Sequence, residues 1–151
     1  MDAPRVTIGI PTYERDTYLA EAISSALAQD YESIEVLVVM DGGSNPRVDE
    51  VVASFDDPRL RSVRHAENRG IAAAINTIFR EGRGELIAIL GDDDICLPGR
   101  ISRQVAVFDR HPDTGVVHGD AVVIDERGAQ TGHWRSKDFS RQALVQTLFR
   151  N

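Results

Sequence analysis

Short apolar runs alternate with amphipathic helical stretches almost without a break from Arg5 to Phe108, and that rhythm leaves few architectures open. Arg5 to Ile10 carries Val6, Ile8 and Ile10 on one face, and Pro11 is expected to stop it. Asp16 or Thr17 can cap a helix in which Leu19, Ile23, Ala26 and Leu27 share a stripe. Ile34 to Met40 is an apolar run of the kind covered on both faces. Asp41 to Pro46 reads as a turn with Pro46 at a helix start, and Val48, Val51, Val52 and Phe55 form the stripe that follows. Leu60 to His65 reads as a third strand. Ile71, Ala74, Ile75, Ile78 and Phe79 mark an amphipathic helix closed near Gly82 and Gly84. Glu85 to Leu90 is the fourth strand, and Ile101, Val105 and Phe108 mark a helix between Pro98 and Pro112. Alternation of this kind predicts an α/β fold, Rossmann-like, with three αβα layers around a mostly parallel sheet.

After Phe108 the pattern changes. Gly115 to His118 and Ala121 to Ile124 are strand-like, Asp125 to Gly128 is a turn, and Gln130 to Trp134 can return as a hairpin partner. Ser140 to Phe149 reads as a helix with Leu144 and Leu148 on one side. There are no repeats, low-complexity tracts or linkers, so residues 1–151 are expected to form one domain.

The composition, 42% hydrophobic and 27% charged, is that of a soluble globular chain. A net charge of −7 argues against a nucleic-acid partner held by phosphate neutralisation. No segment has the length of a membrane span, and the N-terminus lacks a signal-peptide pattern. Cys96 is the only cysteine, which excludes an intrachain disulfide and fits a reducing, cytoplasmic compartment. Attachment at the periphery of a membrane is left open for a longer parent protein. Cys96 reads as a small hydrophobe rather than a catalytic thiol, since no histidine lies near it in sequence.

Three consecutive carboxylates, Asp92, Asp93 and Asp94, follow the fourth strand. Adjacent carboxylates repel, so they need a cation, a proton or full hydration. At the carboxyl edge of a parallel sheet, where such folds bind ligands, a divalent metal carrying a phosphorylated ligand meets that need. The plainer alternative is a solvated turn capping the helix after Pro98. Two other loops reach the same edge. Pro11 to Arg15 offers Tyr13 as an aromatic face for a base. Asp41 to Ser44 offers Asp41 as an acceptor, with Gly42 and Gly43 permitting close approach of a ligand. Asp41 as a turn residue and Tyr13 as a surface residue are the alternatives. Asn68-Arg69-Gly70 precedes a helix and suits a phosphate, or leaves Arg69 as a surface cation. His65, His111, His118 and His133 show no metal-ligand spacing, although the segment His118-Gly119-Asp120 can end near the same edge.

Pro11 to Arg15, Val38 to Ser44, Glu67 to Gly70 with Ala72 to Asn76, and Leu90 to Pro98 together resemble family 2 glycosyltransferases, in order and spacing. Val116 to Gly128 resembles the next family segment. The resemblance implies the GT-A fold and transfer of a sugar from a nucleoside diphosphate sugar, with uridine the expected base, usually with inversion. It implies that Pro11 and Tyr13 hold the base with Glu14 beside them, and that Asp41 accepts from the base. It further implies that Arg69 approaches the base or diphosphate, Asp92 the ribose and Asp120 the donor sugar. A divalent cation, Mn²⁺ or Mg²⁺, would sit on Asp93, with Asp92 or Asp94 as alternatives because Gly91 stands where the family's acidic motif often has its first Asp. In an extended turn Asp92 and Asp94 would share one side and Asp93 the other.

The family's general base lies beyond the position matching Asn151, so no catalytic base is expected here. The expectation is a donor-binding portion of a longer enzyme, inactive alone, whose acceptor would be a saccharide or lipid-linked glycan. Apolar surface near Leu144, Leu148 and Phe149 would favour homo-oligomers. Two rivals from other classes are a receiver-type signalling domain and a non-catalytic nucleotide-binding module. The receiver would want its acidic pair after the first strand, where this chain has Pro11-Thr12-Tyr13. A nucleotidyltransferase would want a Gly-rich, basic first loop, and this one has only Arg15.

Overall fold

The computed structural model describes residues 3–136. They fall into two compact units, one ending at Ala106 and the other beginning at Val107. The first unit runs through β1 (Val6–Thr12), α1 (Leu19–Leu27), β2 (Ile34–Met40), α2 (Pro46–Ala53), β3 (Leu60–Arg64), α3 (Ile71–Glu81), β4 (Leu86–Ile89) and into α4 (Arg100–Arg110). Its four strands form one sheet in the order β3-β2-β1-β4, every neighbouring pair parallel. Ile8 is the register point, opposite Val36 on one side and Ala88 on the other.

Alternate side chains of a strand leave by opposite faces. Val6, Ile8, Ile10, Val36 and Val38 pack with Leu19 and Ile23 of α1, Val48 of α2 and Ile101 of α4. Leu37 and Val39 meet Ala74 and Ile78 of α3 on the other face. Helices thus cover both faces of a parallel sheet, the three-layer arrangement expected. α3 lies so close that a Cβ on Gly9 would sit 2.3 Å from Ile78 Cγ2.

β2 is buried along its whole length, Glu35 included. The Glu35 carboxylate accepts from the Thr7 hydroxyl at 2.7 Å, Arg61 at 2.8 Å and the Arg83 amide at 2.6 Å. Burial pushes its pKa upward, but these donors outweigh burial and hold the group below its ordinary value.

Four local expectations change. The first strand passes through Pro11 to Thr12. The Leu90 amide donates to the Gly9 carbonyl, and the β1–β4 ladder ends at Gly9 opposite Ile89. The N–H that Pro11 lacks would point beyond that ladder, so no bond is lost. Neither Asp16 nor Thr17 caps α1; Tyr18 holds the N-cap without a side-chain bond. Asp16 accepts from Asn45 Nδ2 at 3.2 Å instead, and Asn45 caps α2 ahead of Pro46. Ile71 and Phe79 are exposed, because the close seating of α3 leaves a narrow buried strip of Ala74, Thr77 and Ile78. Gly115 to His118 is not a strand and has no ladder partner among the described residues.

In the second unit, β5 (Ala121–Ile124) and β6 (Gln130–Trp134) form the expected antiparallel hairpin. Its turn is held by Asp125 Oδ1, which accepts from the amides of Arg127 and Ala129, both at 2.9 Å. The helix read over Ser140 to Phe149, with its apolar Leu144, Leu148 and Phe149, lies outside the described residues. Among the described residues no helix is long and apolar enough to cross a membrane.

Candidate active site

The loops following β1, β2, β3 and β4 all leave the carboxyl edge of a parallel sheet, and side chains tie each to the next. Glu14 connects the first two. Its Oε1 accepts from the Ser44 amide at 2.9 Å, and its carbonyl accepts from Asn45 Nδ2 at 3.0 Å. Glu14 sits in the left-handed region with φ 54°, a cost for a non-glycine residue that these bonds offset. Its side chain lies over Gly43, where a Cβ would come within 2.7 Å of Glu14 Cγ.

The second and third loops are joined through Asp41, which is almost fully buried. Asp41 Oδ1 takes a contact of 2.6 Å from His65 Nδ1 and accepts from the Arg69 amide at 3.0 Å. Burial alone would raise the Asp41 pKa, but His65 and the backbone amides of Arg69 and Gly70 override it and hold the group below its usual range. Gly42 lies against the third loop so tightly that a Cβ would be 2.4 Å from the Asn68 nitrogen. From the end of β3, Arg64 reaches back to the carbonyls of Gly42 and Gly43 and pairs with Asp49 at 2.6 Å.

Arg15 joins the first loop to the acidic turn. One guanidinium nitrogen lies 2.8 Å from Asp92 Oδ1 and another 2.9 Å from Asp93 Oδ2. Asp92 is buried and its Oδ2 has no hydrogen-bond partner. Burial raises its pKa and the neighbouring Asp93 charge adds to that, against the lowering pull of Arg15. Asp94 closes the turn through its amide, which donates to the Gly91 carbonyl at 3.2 Å. A Cβ at Gly91 would lie 2.6 Å from Asp94 Oδ2, the far end of an exposed side chain that can swing aside. The chain beyond is locked to α1. Gln29 donates to the Cys96 carbonyl at 3.0 Å and accepts from the Ile101 amide at 3.2 Å, and Ser25 Oγ accepts from the Cys96 amide. Cys96 is buried, which raises its thiol pKa and leaves it the structural residue expected.

The candidate residues thus occupy distinct places. Tyr13 and Arg69 are exposed at the edge, and Glu14 and Asp41 organise the loops beneath them. Asp92 is the buried member of the acidic turn, whereas Asp93 and Asp94 face solvent. Pro11 is buried within β1. Asp120 belongs to the second unit, where it accepts from the Ser136 amide at 2.9 Å.

Arg15 is the participant that sequence reasoning left unassigned. The signal was present, because it is the one basic residue of the loop after the first strand. His65 and Thr77 were also missed. Thr77 interrupts the buried strip of α3 with a hydroxyl, and its partner His65 could be found only in three dimensions.

The model of glycosyl transferase family 2 matches residues 7–150. An uncharacterized glycosyltransferase of Rickettsia felis is 40% identical over 129 residues, covering 83% of this chain and 21% of the relative. An uncharacterized glycosyltransferase of Methanocaldococcus jannaschii is 28% identical over 153 residues, covering 99% of this chain and 53% of the relative. The chain therefore spans between about a fifth and about half of these relatives. Among solved structures, the mannosyltransferase PcManGT from Pyrobaculum calidifontis, in complex with GDP-Man and Mn²⁺, superposes with a TM-score of 0.64 at 27% identity. That match covers 83% of this chain and 37% of the other. S. aureus TarS 1-349 in complex with UDP-GlcNAc reaches 0.64 at 20% identity over 76% of this chain and 37% of the other, a likeness of fold. Sheet, loops and matches agree: the chain has the GT-A fold and belongs to glycosyl transferase family 2.

Proposed function

We propose that this chain binds a nucleoside diphosphate sugar for transfer of the sugar to an acceptor hydroxyl, with a divalent cation at the acidic turn. The observation that carries the reading is the Arg15 bridge, which brings the tyrosine-bearing loop and the acidic turn to one edge. The Mn²⁺ and GDP-Man held by the 27% identical mannosyltransferase support both donor class and metal. UDP-sugars are the expected donors and GDP-sugars the tested alternative.

The residues divide the work. Tyr13 presents a ring on which a base can stack. Asp41 stays ionised at neutral pH and offers acceptor capacity to a base N–H or ribose hydroxyl. The exposed Arg69 guanidinium lies beside the start of α3 and suits the diphosphate. Asp92 serves the ribose, and Asp120 is the candidate for the donor sugar.

The donor set fits a hard cation. Asp92 Oδ2 is buried without a hydrogen-bond partner, and carboxylate oxygens suit Mn²⁺ or Mg²⁺. Asp93 would hold the ion, with Asp92 or Asp94 beside it. Among the described residues no group of three or more His, Cys, Asp or Glu is arranged for a metal, so diphosphate and water would complete the shell. When bound, the cation neutralises charge on the departing nucleotide. Inversion is the stereochemistry we infer, with a saccharide or lipid-linked glycan as acceptor. The proton acceptor for the attacking hydroxyl is assigned to none of the described residues.

A thermal-shift screen of UDP, GDP and ADP with and without Mn²⁺ tests the reading. Ligand at about 100 times its Kd adds about 2.7 kcal/mol of stability, so the right nucleotide should raise the melting temperature when metal is present. No shift with any of the three would overturn it.

A further inference from the structure

Arg15 is placed where the metal-binding reading puts a cation. Its guanidinium spans Asp92 Oδ1 at 2.8 Å and Asp93 Oδ2 at 2.9 Å, two carboxylates that would otherwise repel. One positive charge faces two negative ones, so the corner keeps an excess of negative charge. The bridge also leaves Asp92 Oδ2 buried and unpartnered. A divalent ion would neutralise both carboxylates and give that orphaned oxygen a partner.

The backbone under Arg15 is held by hydrogen bonds, while its side chain is largely exposed. The Thr12 hydroxyl donates to the Arg15 carbonyl at 3.3 Å, and the preceding Glu14 is held by Ser44 and Asn45. The Arg15 side chain is 65% exposed, against 3% for Asp92. Exchange therefore needs only a rotation of one exposed side chain. A guanidinium released beside an arriving diphosphate has a better partner there than in water, since its planar fork matches phosphate oxygens two at a time.

We propose that Arg15 is an exchangeable counter-cation: it holds Asp92 and Asp93 while nucleotide is absent, yields them to the divalent ion, and then pairs with the diphosphate. The proposal rests on the donor-binding reading above and adds a competition within the site. Metal alone binds weakly because it must evict Arg15. Metal with nucleotide binds well because the evicted side chain gains a new partner.

The test compares wild type with Arg15→Gln and Arg15→Lys on the full chain, counting free Mn²⁺ by electron paramagnetic resonance. Without nucleotide, Arg15→Gln should bind Mn²⁺ about fivefold or more tightly than wild type, a typical coupling between linked sites. At saturating Mn²⁺, the same variant should bind UDP or GDP, whichever wild type prefers, about fivefold or more weakly. A merely structural role would weaken both, so the opposite signs are diagnostic. Arg15→Lys keeps the charge but cannot fork across both carboxylates, so it also should bind Mn²⁺ more tightly than wild type. It carries the test if circular dichroism shows Arg15→Gln unfolded. Mn²⁺ affinity unchanged or lower in the folded variants overturns the exchange and leaves the donor-binding reading intact. Absence of Mn²⁺ binding in all three proteins, even with nucleotide, overturns both.

Discussion

His65 donates its Nδ1 proton to the Asp41 carboxylate across 2.6 Å, with both residues buried. The ionised carboxylate can only accept, so Nδ1 carries a proton. On the far side of the ring Nε2 lies 2.8 Å from Thr77 Oγ1, which accepts from Arg80 at 2.8 Å. A chain of contacts through Arg80, Thr77, His65 and Asp41 thus runs from α3 to the end of β2 and holds the carboxylate we propose for the nucleotide.

His65→Leu should therefore weaken both folding and binding. It strips a buried carboxylate of its side-chain donor, a loss of about 1–3 kcal/mol. Urea denaturation should show that loss, and calorimetry should show weaker nucleotide binding in the fraction that stays folded. Thr77→Val should act in the same direction through the same chain.

Glu35 should make stability fall in acid. Its folded pKa is depressed, so its contribution is present above the unfolded value and is lost as pH falls through the folded one. Glu35→Gln should cost about 1–3 kcal/mol at neutral pH, because it leaves buried donors poorly matched. The gap to wild type should narrow at a more acid pH, once pH has fallen through the depressed folded pKa and Glu35 of the wild type is itself protonated. Denaturation curves at both pH values measure it.

Asp92 should behave oppositely. Burial raises its folded pKa, so the favourable contribution is complete below the unfolded value and is lost as pH rises through the folded one. Once ionised, the buried group burdens the ligand-free fold. Asp92→Asn should melt about 2–4 °C higher than wild type without ligand, the shift expected for about 1 kcal/mol at this size. It should lose the metal-dependent shift with nucleotide, a trade of stability against function.

Gly42 and Gly70 share a left-handed backbone, at φ 76° and 86°, but differ in surroundings. A Cβ at Gly42 strikes the backbone of Glu67 and Asn68, whereas one at Gly70 meets nothing within 4 Å. Gly70→Ala should cost only backbone strain, about 1–3 kcal/mol, since φ 86° with ψ 160° is a region populated essentially by glycine. Gly42→Ala should cost clearly more and separate the second and third loops, read as a larger drop in melting temperature and loss of nucleotide binding.

The sheet was legible because buried parallel strands write themselves as apolar runs, and Ile34 to Met40 is such a run despite Glu35. The hairpin was legible from Asp125 to Gly128, whose turn chemistry is local. The acidic turn and the loops of Tyr13 and Asp41 could be assigned to one edge because parallel topology places them there. What escaped was pairing between distant segments. The passage of β1 through Pro11 depends on where β4 stops, and the reach of Arg15 to Asp93, 78 positions away, depends on the whole sheet. The exposure of Phe79 depends on how closely α3 rides over Gly9.

Calorimetric titration of UDP and GDP into wild type and Asp93→Asn, each with Mn²⁺ and with chelator, reaches the central claim most directly. The account predicts binding of one nucleotide by wild type only when Mn²⁺ is present, and loss of that binding in Asp93→Asn. Equal affinity with metal and with chelator, or affinity untouched by the substitution, would contradict it.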